Sequence, residues 1–222
     1  MGGAALGADV SGGPRAIVPG SIGVFGGTFD PIHNAHLAVA QAAAEACGLE
    51  RVLFIPAARP PHKPDAVIST AADRVAMIEL AIAGNDRFAV DRLELERDGP
   101  SYTVDTLEAL HSRGDANVSL ILSAEAFRQL PTWHDAPRIA ELAWFIVAQR
   151  DGYPDPDPVA MGARLPQLID HVTVLDWPRL RLSATELRDQ AAAGRSLRYV
   201  VPDAVAAYIG DHGLYRNHRR ST

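Results

Sequence analysis

Cysteine is almost missing from this chain. A single one, Cys47, stands among 222 residues, so no intrachain disulfide can form. Its place late in an apolar helical run implies a buried thiol, and a reducing, cytoplasmic setting is expected. Long apolar runs are missing as well. None approaches the ~20 residues that span a bilayer, so no membrane partner is expected. Basic charge is scarce: 21 Lys and Arg against 27 Asp and Glu leave a net charge of −6. That argues against nucleic-acid binding through a broad basic face, and leaves room for a local basic pocket.

Apolar residues make up 47% and charged residues 22%, the composition of a soluble globule with an ordinary core. The length is that of one domain. Residues 1–20 hold six glycines and two prolines and show neither helical nor strand periodicity. They lack the basic start and continuous apolar core of a secretion signal, and are expected to be a flexible extension. Residues 217–222 are expected to be a solvated basic tail, which leaves 21–216 as the folded unit.

The chain is organised around Gly23 to His36, GVFGGTFDPIHNAH. Ser21 to Phe25 is apolar enough for a buried strand. Gly26 and Gly27 follow, where a large ligand could approach the backbone. His33 and His36 then open the helical run AHLAVAQAAAEA. Strand, glycine turn and helix N-terminus together suit a phosphate, which meets free N–H groups and the positive helix end. Three residues apart, the histidines share one side of the helix entrance. They could also offer two metal ligands, but no nearby Cys or acidic cluster supplies a third and fourth, so no protein metal site is expected.

Further on, strand-like and helix-like runs alternate. Val52 to Ile55 is a strand, and the proline-stiffened loop after it carries His62 and Lys63. Strand, helix, strand implies a right-handed parallel crossover. The loop therefore shares a rim with the histidines, where Lys63 is either an anion contact or a solvated lysine. Thr70 to Asp73 reads as a capping box opening a helix. Arg74 in that helix's first turn suits the dipole poorly, so it has another job or makes a surface salt bridge. Phe88 to Leu95 reads as a strand, and Ser101 or Thr103 can cap the helix TVDTLEALHSR. Val118 to Leu122 is a buried strand running into the rim loop SAEAFRQLPTWHD, where Trp133 is a stacking platform or simply packs the loop down. Trp144 to Ala148 and Val172 to Leu175 are further strands. Ser183 or Thr185 can cap a helix with Arg188 one turn inside, a second place for phosphate. A last helix over Pro202 to Tyr215 turns Val205, Tyr208 and Ile209 inward.

The stretch Gly27, Phe29, Asp30, Pro31, His33 and His36 resembles the nucleotidyltransferase superfamily signature, with Ala35 in place of the usual Gly before the second His. From about residue 21 onward, the order of motifs is similar to that of the bacterial nicotinate-nucleotide adenylyltransferases. The matching pieces are GGTFDPIHNAH, PPHK at 60–63, SYTVDTL at 101–107, the Trp133 loop, LSATELR at 182–188 and VAAYIGDHGLY at 205–215. Two departures stand out. Ser123-Ala124-Glu125 replaces a Gly-x-Asp, and Ala184 replaces a Ser.

This resemblance implies a Rossmann-like α/β fold: one domain with a doubly wound parallel sheet flanked by helices. It implies adenylyl transfer from ATP to nicotinate mononucleotide, with Mg²⁺ bound mainly through the ATP phosphates. It assigns ATP to Gly26, Gly27, Thr28, Phe29, His33, His36, Ser183, Thr185 and Arg188, with His33, His36 and Arg188 catalytic. The acceptor falls to Lys63, Tyr102, Thr103, Glu125, Trp133 and His134. Two rival readings are transfer to another phosphate acceptor and a nucleotide-binding regulator without turnover.

Overall fold

The computed structural model describes residues 20–59 and 69–216. Lys63, most of the expected N-terminal extension and the 217–222 tail lie outside those residues. Among the described residues, six strands are all parallel, in the order β3-β2-β1-β4-β5-β6. They are β1 Ile22–Gly27, β2 Arg51–Pro56, β3 Phe88–Val90, β4 Val118–Ser123, β5 Trp144–Ala148 and β6 Val172–Leu175. The α-helices described around them are α1 Asn34–Ala46, α2 Ala71–Ile82, α3 Thr103–Ser112, α4 Ala124–Gln129, α5 Ala136–Leu142, α6 Pro158–Arg164, α7 Ala184–Ala192 and α8 Asp203–Asp211. This is the doubly wound Rossmann-like arrangement.

Alternation along the strands sends side chains into two cores. Val52 and Phe54 join α1, α2, α7 and α8 on one face. Leu53 and Ile55 join α3, α5 and α6 on the other. The strands are apolar throughout because both faces are covered.

Chain order reverses between β1 and β4, and there the sheet opens. Pairing of these strands stops at Val24 opposite Leu120, whereas β1 stays paired with β2 as far as Gly27 and β4 with β5 as far as Ser123. The carboxyl ends of the two central strands thus part, leaving the crevice in which sheets of this kind bind ligands.

Several local expectations need correction. Only Phe88–Val90 is strand; the chain then leaves the sheet, and Leu95 N–H turns back to the Arg92 carbonyl at 2.8 Å. Neither Ser101 nor Thr103 caps α3. Tyr102 holds that position without a side-chain cap, and the Ser101 hydroxyl instead accepts the Ala58 and Arg59 N–H groups. The stretch read as a loop after β4 begins with α4, capped by Ser123 Oγ accepting from Ala126 N–H at 3.2 Å. The capping box of α2 forms as its sequence indicates, Thr70 Oγ1 accepting the Asp73 N–H at 3.1 Å.

Candidate active site

Two cavities fill the crevice. One, of about 390 Å³, is lined by His33, His36, Arg150, Ser183, Thr185 and Arg188. The other, of about 240 Å³, is lined by Glu94, Tyr102, Thr103, Thr106, Trp133 and His134. Gly26, Gly27, Thr28, Glu125 and Trp133 border both. Phe29 lines the larger cavity. Every described residue assigned from the sequence to ATP, catalysis or the acceptor borders one cavity or the other, and Lys63 lies outside the described residues.

The histidines are packed face to face, ring centroids 3.6 Å apart and planes 13° from parallel. Phe25 and Phe29 approach His36 edge-on at 5.8 and 5.1 Å. The His33 N–H donates to His36 Nδ1 at 3.2 Å, which leaves the proton of neutral His36 on Nε2. Both imidazoles resist protonation. Burial holds His33 at about 4, and the Arg150 charge adds to it. Burial first, then His33 and Arg150, hold His36 well below 6.5. In the free protein both rings are therefore neutral at physiological pH.

A stability prediction follows. Unfolded His33 binds its proton near pH 6.5 and folded His33 only near 4, so the unfolded chain takes up more protons between these values. Stability is full above about pH 6.5 and falls as the pH drops toward 4, by on the order of 3 kcal/mol from this residue. Urea unfolding of His33→Gln will lose less stability between pH 7 and 4.5 than the parent chain loses. An equal loss in both would place the pH sensitivity elsewhere.

The helix entrance is less open than its sequence suggested. Asn34 N–H is taken by the Val200 carbonyl at 3.0 Å, and its amide bonds the Tyr199 carbonyl at 2.7 Å. At α3, Tyr102 N–H is taken by the Pro100 carbonyl, so the donors left without an intrahelical partner begin at Thr103.

The two glycines differ from one another. A Cβ on Gly26 meets nothing within 4 Å, whereas one on Gly27 comes within 3.0 Å of the Phe29 ring. Gly27 is thus needed for packing under Phe29, and Gly26 borders open space in both cavities. Gly26→Ala is expected to leave the thermal midpoint nearly unchanged and weaken ATP binding. Gly27→Ala is expected to lower the midpoint, and thermal melts with ATP titrations separate the two.

Three buried or half-buried charges were missed or misread in the sequence. Arg74 is 1% exposed and makes no surface salt bridge; its Nη1 donates to the Thr28 and Ala57 carbonyls at 3.0 and 2.8 Å. It ties β1 to β2 at the rim. Arg150, passed over as a strand ending, donates to the Leu182 carbonyl at 2.8 Å and faces the histidines. Its place at the end of β5 was the available signal. Glu94 is buried beside the smaller cavity and accepts Thr106 Oγ1–H at 2.8 Å; burial raises its carboxyl above the usual range. Arg188 Nη1 donates to the Asp30 carbonyl at 2.7 Å and Nη2 to Thr185 Oγ1 at 3.2 Å. Ser183 stands at the start of α7 with no side-chain cap bond. Tyr102 and His134 stack at 4.4 Å over the smaller cavity.

Residues 24–190 match the family described as cytidylyltransferase-like. A protein of Thermomicrobium roseum, named "probable nicotinate-nucleotide adenylyltransferase", is 44% identical over 88% of this chain and 91% of its own. The chain belongs to this family. A Thermus thermophilus relative of the same name is 46% identical over 88% of this chain and 99% of its own. Among solved structures, the Plasmodium falciparum nicotinic acid mononucleotide adenylyltransferase complexed with NaAD is similar in fold. It aligns at TM-score 0.73 and 16% identity, over 90% of this chain and 98% of that one. The fold is thus shared with a solved structure of low sequence identity.

Proposed function

We propose that this chain transfers the adenylyl group of ATP to nicotinate mononucleotide, releasing pyrophosphate and forming nicotinate adenine dinucleotide, a step of NAD biosynthesis. The observation that carries the reading is the shared wall of the two cavities. A triphosphate beside His33 and His36 and a mononucleotide beside Trp133 would bring their phosphates together at Gly26 to Thr28.

An oxygen of the mononucleotide phosphate attacks the α-phosphorus of ATP. The bond to the bridging oxygen breaks, and pyrophosphate leaves with that electron pair. The attacking phosphate is already an anion at neutral pH, so no general base is required. The protein supplies alignment and charge stabilisation. His36 Nε2–H and His33 donate to the phosphates as charge builds on the leaving group. Arg150 adds a positive charge to the same cavity, which Ser183, Thr185 and Arg188 also line. Trp133 stacks on the pyridine ring, and the first turn of α3, from Thr103, receives its carboxylate. A helix N-terminus favours the carboxylate over the uncharged carboxamide. Lys63 neutralises a substrate phosphate in this reading.

Among the described residues, no group of three or more His, Cys, Asp or Glu gathers to cage a metal. That suits Mg²⁺ held by the triphosphate and water, where it would neutralise phosphate charge. No helix among the described residues is long and apolar enough to cross a membrane. We place the enzyme in the cytoplasm, with residues 21–216 as the transferase unit. Ser123 uses its hydroxyl to cap α4, so the helix start stays ordered at the Ser123-Ala124-Glu125 departure.

ATP labelled at the α-phosphorus tests the reaction. With nicotinate mononucleotide, the label should enter the dinucleotide and leave the pyrophosphate unlabelled. Label that stays in ATP, in a folded protein that binds ATP, contradicts the reading.

A further inference from the structure

The backbone of the phosphate loop is held at a conformation it does not favour. Phe29 has φ +50°, in the left-handed region that a bulky L-residue adopts only when its surroundings insist. Two buried arginines grip the carbonyls on either side of it: Arg74 at Thr28 and Arg188 at Asp30. The Asp30 side chain is fully buried among them. Its Oδ1 accepts the Tyr215 hydroxyl at 2.6 Å, and its Oδ2 accepts the Ser69 N–H at 3.1 Å. Tyr215 lies 185 residues further on, beyond α8, and is itself buried. Burial and the Asp30 charge push its hydroxyl far above the usual tyrosine range, so it remains a donor.

Tyr215 borders neither cavity, whereas Phe29 and Asp30 border the larger one. We propose that Tyr215 is a positioning residue for the transfer, fixing through Asp30 the Thr28–Phe29–Asp30 backbone that cradles the phosphates. The inference rests on the adenylyl-transfer reading. It gives Tyr215, which lines neither cavity, a part in the reaction, and it gives the buried Asp30 carboxylate a purpose beyond balancing two arginines. The same carboxylate also holds Ser69, the residue just before the Thr70 cap of α2.

Tyr215→Phe keeps the ring in the core and removes only the donor. Its kcat should fall about tenfold, the scale of a small loss of alignment, with KM for the mononucleotide unchanged. Its affinity for ATP should weaken about fivefold, the worth of one hydrogen bond. Asp30→Asn is the second variant. If the pair acts as a unit, adding Tyr215→Phe to Asp30→Asn should cost little more than Asp30→Asn alone. Wild-type kcat in Tyr215→Phe, or fully additive losses in the double variant, would overturn the proposal, even if the melting temperature falls. Should the parent chain itself release no pyrophosphate, the adenylyl-transfer reading fails instead. ATP binding by calorimetry then decides the inference separately, and unchanged affinity in Tyr215→Phe overturns it.

Discussion

His36→Ala is expected to lower turnover about 10²–10³-fold, the usual cost of removing one preorganised donor from a developing negative charge. The size of the effect comes from how firmly the ring is set. His33 stacks against it at 3.6 Å, Phe25 and Phe29 meet it edge-on, and the His33 N–H fixes its tautomer. Nothing needs to reorganise when pyrophosphate begins to leave. The ring is neutral in the free protein, so the fall in kcat/KM should be nearly constant from pH 6.5 to 8. Steady-state kinetics, with circular dichroism to show that the variant is folded, checks this. Turnover within threefold of the parent would mean that His36 is only packing.

The second large effect concerns stability. Arg74→Met is expected to destabilise the fold by roughly 3–5 kcal/mol. Methionine matches much of the volume but donates nothing. The Thr28 and Ala57 carbonyls would each lose a buried donor, and Asp30 would lose one of the cations facing it. For a chain of this length the melting temperature should fall by roughly 10 °C. Arg74→Lys should recover only part, because a single ammonium lacks the flat fork of the guanidinium. Urea unfolding measures the difference directly, and a loss below 1 kcal/mol would show that water replaces the missing donor.

Arg74 also shows where the sequence stopped being informative. A cation in the first turn of a helix is a visible anomaly, and it marked the residue. That the side chain runs inward to β1 and β2 depends on a crossover that no local pattern records. The core strands, the signature loop and the entrance of α7 were legible because each is carried by contiguous residues with a clear period. Helices α5 and α6 were not, because seven residues beginning near a proline leave too little periodicity to detect. Phe88 to Leu95 misled for the opposite reason: partial alternation continued past the end of the sheet. The bond between Tyr215 and Asp30 joins the two ends of the fold, and only the assembled sheet reveals it.

The most direct test of the account is pyrophosphate release by the purified protein with ATP and Mg²⁺, comparing nicotinate mononucleotide with nicotinamide mononucleotide. The account predicts release with both His33 and His36 intact, and a kcat/KM for the acid at least about tenfold above that for the amide, as a carboxylate seated at the start of α3 requires. Equal use of both would contradict the carboxylate site, and no release with either would contradict the account as a whole.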